Sequence, residues 1–408
     1  MAEEMRACLE GRGGEVSARA RAATLGAHYR ALGPAEREQF FRLLGAFGID
    51  PDTLEDAIGG LHDAIGPAER SRRMRELRRA LRPPWVELLT QFNSIPGGVK
   101  FLVDMRADLL GMLDRNPIFV EIEADLRDIL ASWFDVGFLE LRQITWDAPA
   151  AFLEKLAKYE AVHEMRNWLD LKRRLGKNRR CFAFVHPAMP DEPLIFVEIA
   201  LTSDLTANVN DILDRSKELP PLGDPEPEPT TAIFYSISNC QAGLAGVSFG
   251  NALIKRVVDR LSAERRSLKT FATLSPIPGF LQWLEGELGE DPQGIAATLA
   301  RRAWYKDPAT AESLRAPLLR LCARYLLKEK RGDQRALNSV EHFHLSNGAR
   351  LERINWLADA SPRGLRESAG MMTNYLYVRD QIDENHEAYV GEGRIAASSR
   401  VQDLLRSR

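Results

Sequence analysis

Cysteine is scarce and scattered. Cys8, Cys181, Cys240 and Cys322 are the four in 408 residues, and no two form a CxxC pair. Such spacing excludes a zinc knuckle or a dithiol redox motif, and it fits a reducing compartment. No run of about 18 apolar residues occurs, so no membrane span is expected. A surplus of charge is missing too: 58 acidic residues face 55 basic ones, for a formal net charge of −3. Nothing global therefore draws the chain to nucleic acid or to an anionic membrane. The first residues, Met-Ala-Glu-Glu-Met-Arg, lack both the apolar stretch of a secretory signal and the acid-poor character of a transit peptide. The final Arg-Ser-Arg is not a peroxisomal tripeptide, and the expected location is cytoplasmic.

What is present reads as a folded protein of two or three domains, with 45% apolar and 28% charged residues. From about residue 17 to 172, apolar side chains recur at three- and four-residue spacing, which predicts a helical bundle. Six arginines between Arg72 and Arg82 alternate with Met74, Leu77 and Leu81 at helical spacing. That stretch is a solvated helix face or subunit contact, or else a ligand-binding one. Near Arg179 the pattern changes. Residues 181–185 and 194–201 read as a hairpin, 206–219 as a helix, and 220–229, with five prolines, as an extended connector. A strand at 232–238, a glycine loop at 243–250 and an amphipathic helix at 251–261 follow. Beyond them come a strand at 270–274 and helices at 280–288, 311–328 and 364–377.

Three stretches carry candidate chemistry. A glycine loop between strand and helix offers unpaired N–H groups at the positive end of a helix dipole, an anion cradle. Its spacing matches neither the P-loop nor GxGxxG, and close helix-to-strand packing explains the glycines equally well. Ser275 leaves a strand directly before Pro276-Ile-Pro-Gly279, where two prolines stiffen the backbone. Such a serine is either rigidly presented at a sheet end or a turn residue bonded to nearby backbone. His342 and His344, read on an extended segment, would face the same way as a metal pair, but no third ligand accompanies them. A hydrogen-bonding or proton-transfer histidine on a turn before Asn347-Gly348 is the other reading. Tyr375 and Tyr377, read on a helix with Met371, are core aromatics or site residues. The basic run Lys172 to Arg180 is structural or meets phosphates.

Taken together these blocks resemble the malonyl-CoA decarboxylase family. The resemblance rests on Trp168-Leu-Asp-Leu-Lys-Arg-Arg, Ile233-Phe-Tyr-Ser-Ile-Ser, Gly243-Leu-Ala-Gly-Val, Leu253-Ile-Lys-Arg-Val-Val, Leu274-Ser-Pro-Ile-Pro-Gly-Phe, Phe343-His-Leu-Ser-Asn-Gly-Ala and Arg353-Ile-Asn-Trp. It covers residues from about 160 onward. It implies an α+β protein: an all-helical N-terminal domain at 1–165, used for self-association as a dimer or tetramer, then a catalytic domain at 166–408 with an N-acetyltransferase-like (GNAT) mixed sheet. It implies conversion of malonyl-CoA to acetyl-CoA and CO2. The family's catalytic serine, histidine and tyrosine fall on Ser275, His344 and Tyr377. The CoA pyrophosphate falls on Ala245, Gly246, Val247, Ser248, Phe249, Gly250 and Asn251. Ser248 stands where some members carry a glutamate.

The reaction leaves charge on a thioester that is its own electron sink, so no cofactor and no metal is expected. A donor aimed at the enolate oxygen and a proton source for carbon suffice. Two other functions fit the same fold: an acyl-CoA-dependent acyltransferase, which would need an acceptor, and a catalytically silent acyl-CoA sensor.

Overall fold

The computed structural model describes residues 1–10, 14–213, 228–247, 253–288, 294–301 and 303–406. The chain divides into two compact units. One comprises Met1–Glu140, Val185–Glu192 and Gln241–Ser248, the other Leu141–Phe184, Pro193–Cys240 and Phe249–Arg408.

The first unit is helical, as its periodicity predicts. Helices Pro34–Gly45, Pro84–Gln91, Gly98–Leu110 and Pro117–Trp133 bury Phe40, Phe41, Trp85, Leu88, Phe101, Leu102, Phe119 and Leu126 against one another. Two further helices, Pro51–His62 and Pro67–Ala80, bury no residue at all. The second of these carries most of the arginine run, and its Arg72 and Arg73 pair with Glu69 and Glu76 on the same helix. Within this unit, Gly243 packs on helix Gly98–Leu110 so closely that an added Cβ would lie 1.7 Å from the Val103 carbonyl oxygen. Close packing thus accounts for that glycine.

The second unit is built on a mixed sheet of eight strands among the described residues, in the order β1-β2-β3-β4-β5-β8-β6, with β7 on β8. The strands are β1 Glu140–Ile144, β2 Arg179–His186, β3 Met189–Thr202, β4 Thr231–Asn239, β5 Thr270–Thr273, β6 Ser275–Pro276, β7 Arg350–Asn355 and β8 Met372–Leu376. β3 pairs antiparallel with β4, with a register shift between Glu198 and Ile199. β4 pairs parallel with β5, from Thr231 opposite Thr270 to Phe234 opposite Thr273. The pairing stops where β5 ends, and β4 runs on to Asn239. A largely antiparallel sheet with one central parallel pair is N-acetyltransferase-like. Its core joins Ala200, Ile233, Tyr235, Ala272, Leu274 and Met372 to Val209, Ile212 and Ala358.

Several local expectations give way to tertiary context. β1 interrupts the helical first half. It is a partly exposed strand at the end of the sheet, where little apolar alternation is required. Of the helix expected at 206–219, Asn210–Leu213 is present, and residues 214–227, with most of the proline-rich connector, lie outside the described residues. The helix expected at 364–377 ends at Ser368: Ala369 and Gly370 take φ of 51° and 77°, and β8 follows. β8 is buried over most of its length, its polar Thr373 and Asn374 included, so it shows no apolar–polar alternation to tell strand from helix. Conversely, His342 and His344 lie on helix Ser339–Ser346 rather than on an extended segment.

Candidate active site

Ser275 begins β6 opposite Thr373 of β8, immediately after β5 has ended. Pro276 and Pro278 supply no N–H, and the turn is held instead through the Pro278 carbonyl, which accepts from Tyr325 Oη at 3.2 Å and from Asn338 Nδ2 at 2.7 Å. Asn338 is the pivot of the site. Its Oδ1 accepts the Glu341 N–H at 2.8 Å and so caps helix Ser339–Ser346. One amide side chain, 1% exposed, thereby fixes the serine turn against the helix that carries His344. Two residues beyond that helix stands Gly348, whose φ is +77° and where an added Cβ would lie 2.1 Å from the Ile382 carbonyl oxygen, so only glycine fits.

The result is a chain of hydrogen bonds. Ser275 Oγ lies 3.0 Å from His344 Nε2, and His344 Nδ1 lies 2.8 Å from Tyr377 Oη. Tyr377 follows β8, its N–H donating to the Phe271 carbonyl at 2.8 Å, and its ring meets Phe234 edge-on at 6.1 Å. Tyr375 stacks on the imidazole with centroids 4.6 Å apart. On the other side, Ser275 Oγ donates to Thr273 Oγ1 at 2.9 Å.

All of this is buried: Ser275 is 5% exposed, His344 3%, Tyr377 2% and Thr273 not at all. Burial is the single cause that pushes the His344 pKa down to about 3 and the Tyr377 pKa above its usual value. The imidazole is accordingly neutral at pH 7 and has no charged neighbour to hold a proton on it. One turn earlier, Glu341 is fully buried, and neither carboxyl oxygen has a hydrogen-bond partner among the described residues. Burial raises its pKa well above the carboxylate range, with Lys330 opposing weakly. Tyr377 also lines a cavity of about 540 Å³, with Lys255, Lys269 and Arg379 in its wall.

The structure thus brings Ser275, His344 and Tyr377 into one chain although they are 69 and 33 residues apart. It does not pair His342 with His344, because on a helix residues two apart point to different sides; His342 Nδ1 lies 2.8 Å from Tyr389 Oη instead. No cluster able to hold a metal ion occurs among the described residues. Ala245, Gly246 and Val247 follow the 3-10 turn Ala242–Leu244, while Ser248, Phe249, Gly250 and Asn251 lie outside the described residues. In the basic run, Arg174 is buried against Glu198 at 2.6 Å, Arg179 bonds the Ile212 carbonyl and Arg180 pairs with Glu264, so these three serve the fold. Sequence reasoning passed over Thr273, Asn338 and Glu341. Thr273 had a signal, for two residues before Ser275 on a strand it shares that residue's face; the other two had none.

The second unit is thus an N-acetyltransferase-like domain holding a buried serine–imidazole–phenol chain, and its family follows from its relatives. Residues 137–408 match the malonyl-CoA decarboxylase C-terminal domain and residues 47–134 the malonyl-CoA decarboxylase N-terminal domain. The chain belongs to the malonyl-CoA decarboxylase family and is a malonyl-CoA decarboxylase. It is 41% identical to mitochondrial malonyl-CoA decarboxylase of Anser anser anser over 81% of this chain and 71% of the relative. The figures for the Rattus norvegicus protein are 38%, 91% and 83%. Among solved structures, malonyl-CoA decarboxylase from Rhodopseudomonas palustris superposes with a TM-score of 0.91 at 41% identity, covering 98% of this chain and 99% of that one. The Agrobacterium vitis enzyme does so at 0.90 and 40%, covering 99% of each.

Proposed function

We propose that Ser275, His344 and Tyr377 carry out the decarboxylation as a proton-delivering chain, with the loop residues 245–251 receiving the CoA phosphates. The observation that carries this reading is the continuous path from Ser275 Oγ through both imidazole nitrogens to Tyr377 Oη. Breaking the bond to the carboxylate releases CO2 and leaves an electron pair shared between the α-carbon and the thioester oxygen. No metal or electron-sink cofactor is called for, because the thioester takes the pair. The buried, uncharged surroundings of Ser275 and His344 favour this step, since the negative charge leaves the carboxylate and spreads in the transition state.

Carbon must then receive a proton. A neutral imidazole with pKa near 3 is no reservoir of positive charge, so the proton moves by relay. Ser275 Oγ–H goes to the α-carbon, His344 Nε2–H to Oγ, and the Tyr377 proton to Nδ1. Solvent in the adjoining cavity reprotonates Tyr377, and the imidazole, left as the Nδ1–H tautomer, returns to Nε2–H before the next turnover. The relay runs downhill because a phenol, even one made weaker by burial, is far more acidic than the C–H of a thioester. Replacing Ser275 or His344 by Ala should lower kcat about 10²- to 10⁴-fold with KM little changed. Near-normal turnover by both folded variants would remove these residues from the mechanism.

Self-association belongs to the helical region, where Ile58, Ile65 and Leu81 are at least half exposed and Met74 is 37% exposed. The relatives quoted are named mitochondrial. Our reading for this chain is cytoplasmic, and fractionation of the host cell tests it.

A further inference from the structure

The proton on Ser275 is already committed. A serine hydroxyl holds one hydrogen, and here it points to Thr273 Oγ1 at 2.9 Å. The 3.0 Å bond between Ser275 Oγ and His344 Nε2 must then be made with Nε2–H donating into the serine oxygen. A neutral imidazole has only one N–H, so Nδ1 carries a lone pair and accepts the Tyr377 O–H at 2.8 Å. Thr273 is itself held rigidly. It is fully buried, its Oγ1 also accepts the Tyr375 N–H at 3.1 Å, and its carbonyl accepts from Asn374 Nδ2 at 2.6 Å.

Resting on the proton relay proposed above, we infer that Thr273 is a positioning residue that sets the direction of that relay. By taking the serine proton when no substrate is present, it keeps His344 in the Nε2–H form, with Tyr377 donating to His344 and His344 to Ser275. Without that acceptor, the only partner left for Ser275 O–H among these groups is Nε2. The imidazole must then move its proton to Nδ1 and donate to Tyr377, and the chain runs backward. The Nδ1–H form that each relay leaves behind would then persist between turnovers instead of returning to Nε2–H.

The test uses the full-length enzyme with 15N-labelled histidine. The His344 signals, assigned among the seven histidines by their loss in His344→Gln, report which ring nitrogen bears hydrogen. We expect Nε2–H in the unsubstituted enzyme, Nδ1–H in Thr273→Val, and Nε2–H again in Thr273→Ser. Thr273→Val should lose roughly 10- to 100-fold in kcat, part of the ~10²–10⁴-fold that positioned proton transfer supplies, with KM changed less than about twofold and Thr273→Ser restoring most of it. An Nδ1–H signal in the unsubstituted enzyme overturns the inference whether or not the variants fold. So does a folded Thr273→Val with normal kcat and an Nε2–H signal. Retained turnover in Ser275→Ala and His344→Ala instead defeats the relay itself, a result distinct from either.

Discussion

Two buried groups one helical turn apart respond to pH with opposite sign. For His344 the folded pKa is about 3 against about 6.5 unfolded, so between those values the unfolded chain binds more protons. Its contribution to stability is present above pH 6.5 and is lost as pH falls through that window. We expect urea denaturation to show less acid destabilisation between pH 7.5 and 5 in His344→Gln than in the unsubstituted enzyme. The kcat profile should also lack the break near pH 6.5 that a charged histidine would give. Glu341 is the reverse case, with burial holding its folded pKa well above the usual carboxylate range. Its contribution is complete below about pH 4.5 and fades as pH rises. Glu341→Gln should therefore raise Tm more at pH 8.5 than at pH 5.5, and a larger gain on the acid side would contradict a neutral carboxyl.

Asn338 shows how one element is tied to another. Its two amide atoms serve different masters: Oδ1 caps helix Ser339–Ser346, and Nδ2 holds the Pro278 carbonyl of the serine turn. Asn338→Ala forfeits both, and a cap worth about 0.5–2 kcal/mol plus a buried carbonyl left bare at about 1–3 kcal/mol makes a loss of roughly 2–4 kcal/mol. Asn338→Asp retains the cap but not the donor. If positioning of the serine matters to the reaction, Asp should lower kcat nearly as much as Ala while unfolding at a higher urea concentration. At the other end of the helix, Gly348→Ala meets both a positive φ and the Ile382 carbonyl. It should destabilise more than Asn338→Asp, as read by the same urea titration.

For the whole molecule, one buried long-range link is Arg106. It is 2% exposed, pairs with Glu123 at 2.6 Å and donates to the Gly243 carbonyl at 2.7 Å. Within the helical unit this joins chain segments 137 residues apart. Arg106→Leu leaves Glu123 buried without its partner and should cost about 3–5 kcal/mol. Because Gly243 leads into the proposed CoA loop, KM for malonyl-CoA should rise more than kcat falls. Local pattern was enough to read the helical first half, the β2–β3 hairpin and β4, since amphipathic spacing and turn residues act over a few positions. The ordered blocks around Ser275, His344 and Tyr377 marked the family and the candidate residues. That text did not reveal that His344 lies on a helix and Tyr375 on a strand, because a buried run carries no alternation to reveal its period. Nor did it show Thr273 holding the serine proton, Asn338 serving two elements at once, or a neutral histidine. Those follow from burial and from contacts such as Asn338 with Pro278, His344 with Ser275 and Tyr375 with Thr273, which lie 60, 69 and 102 residues apart, and such bonds exist only once distant segments have been packed together.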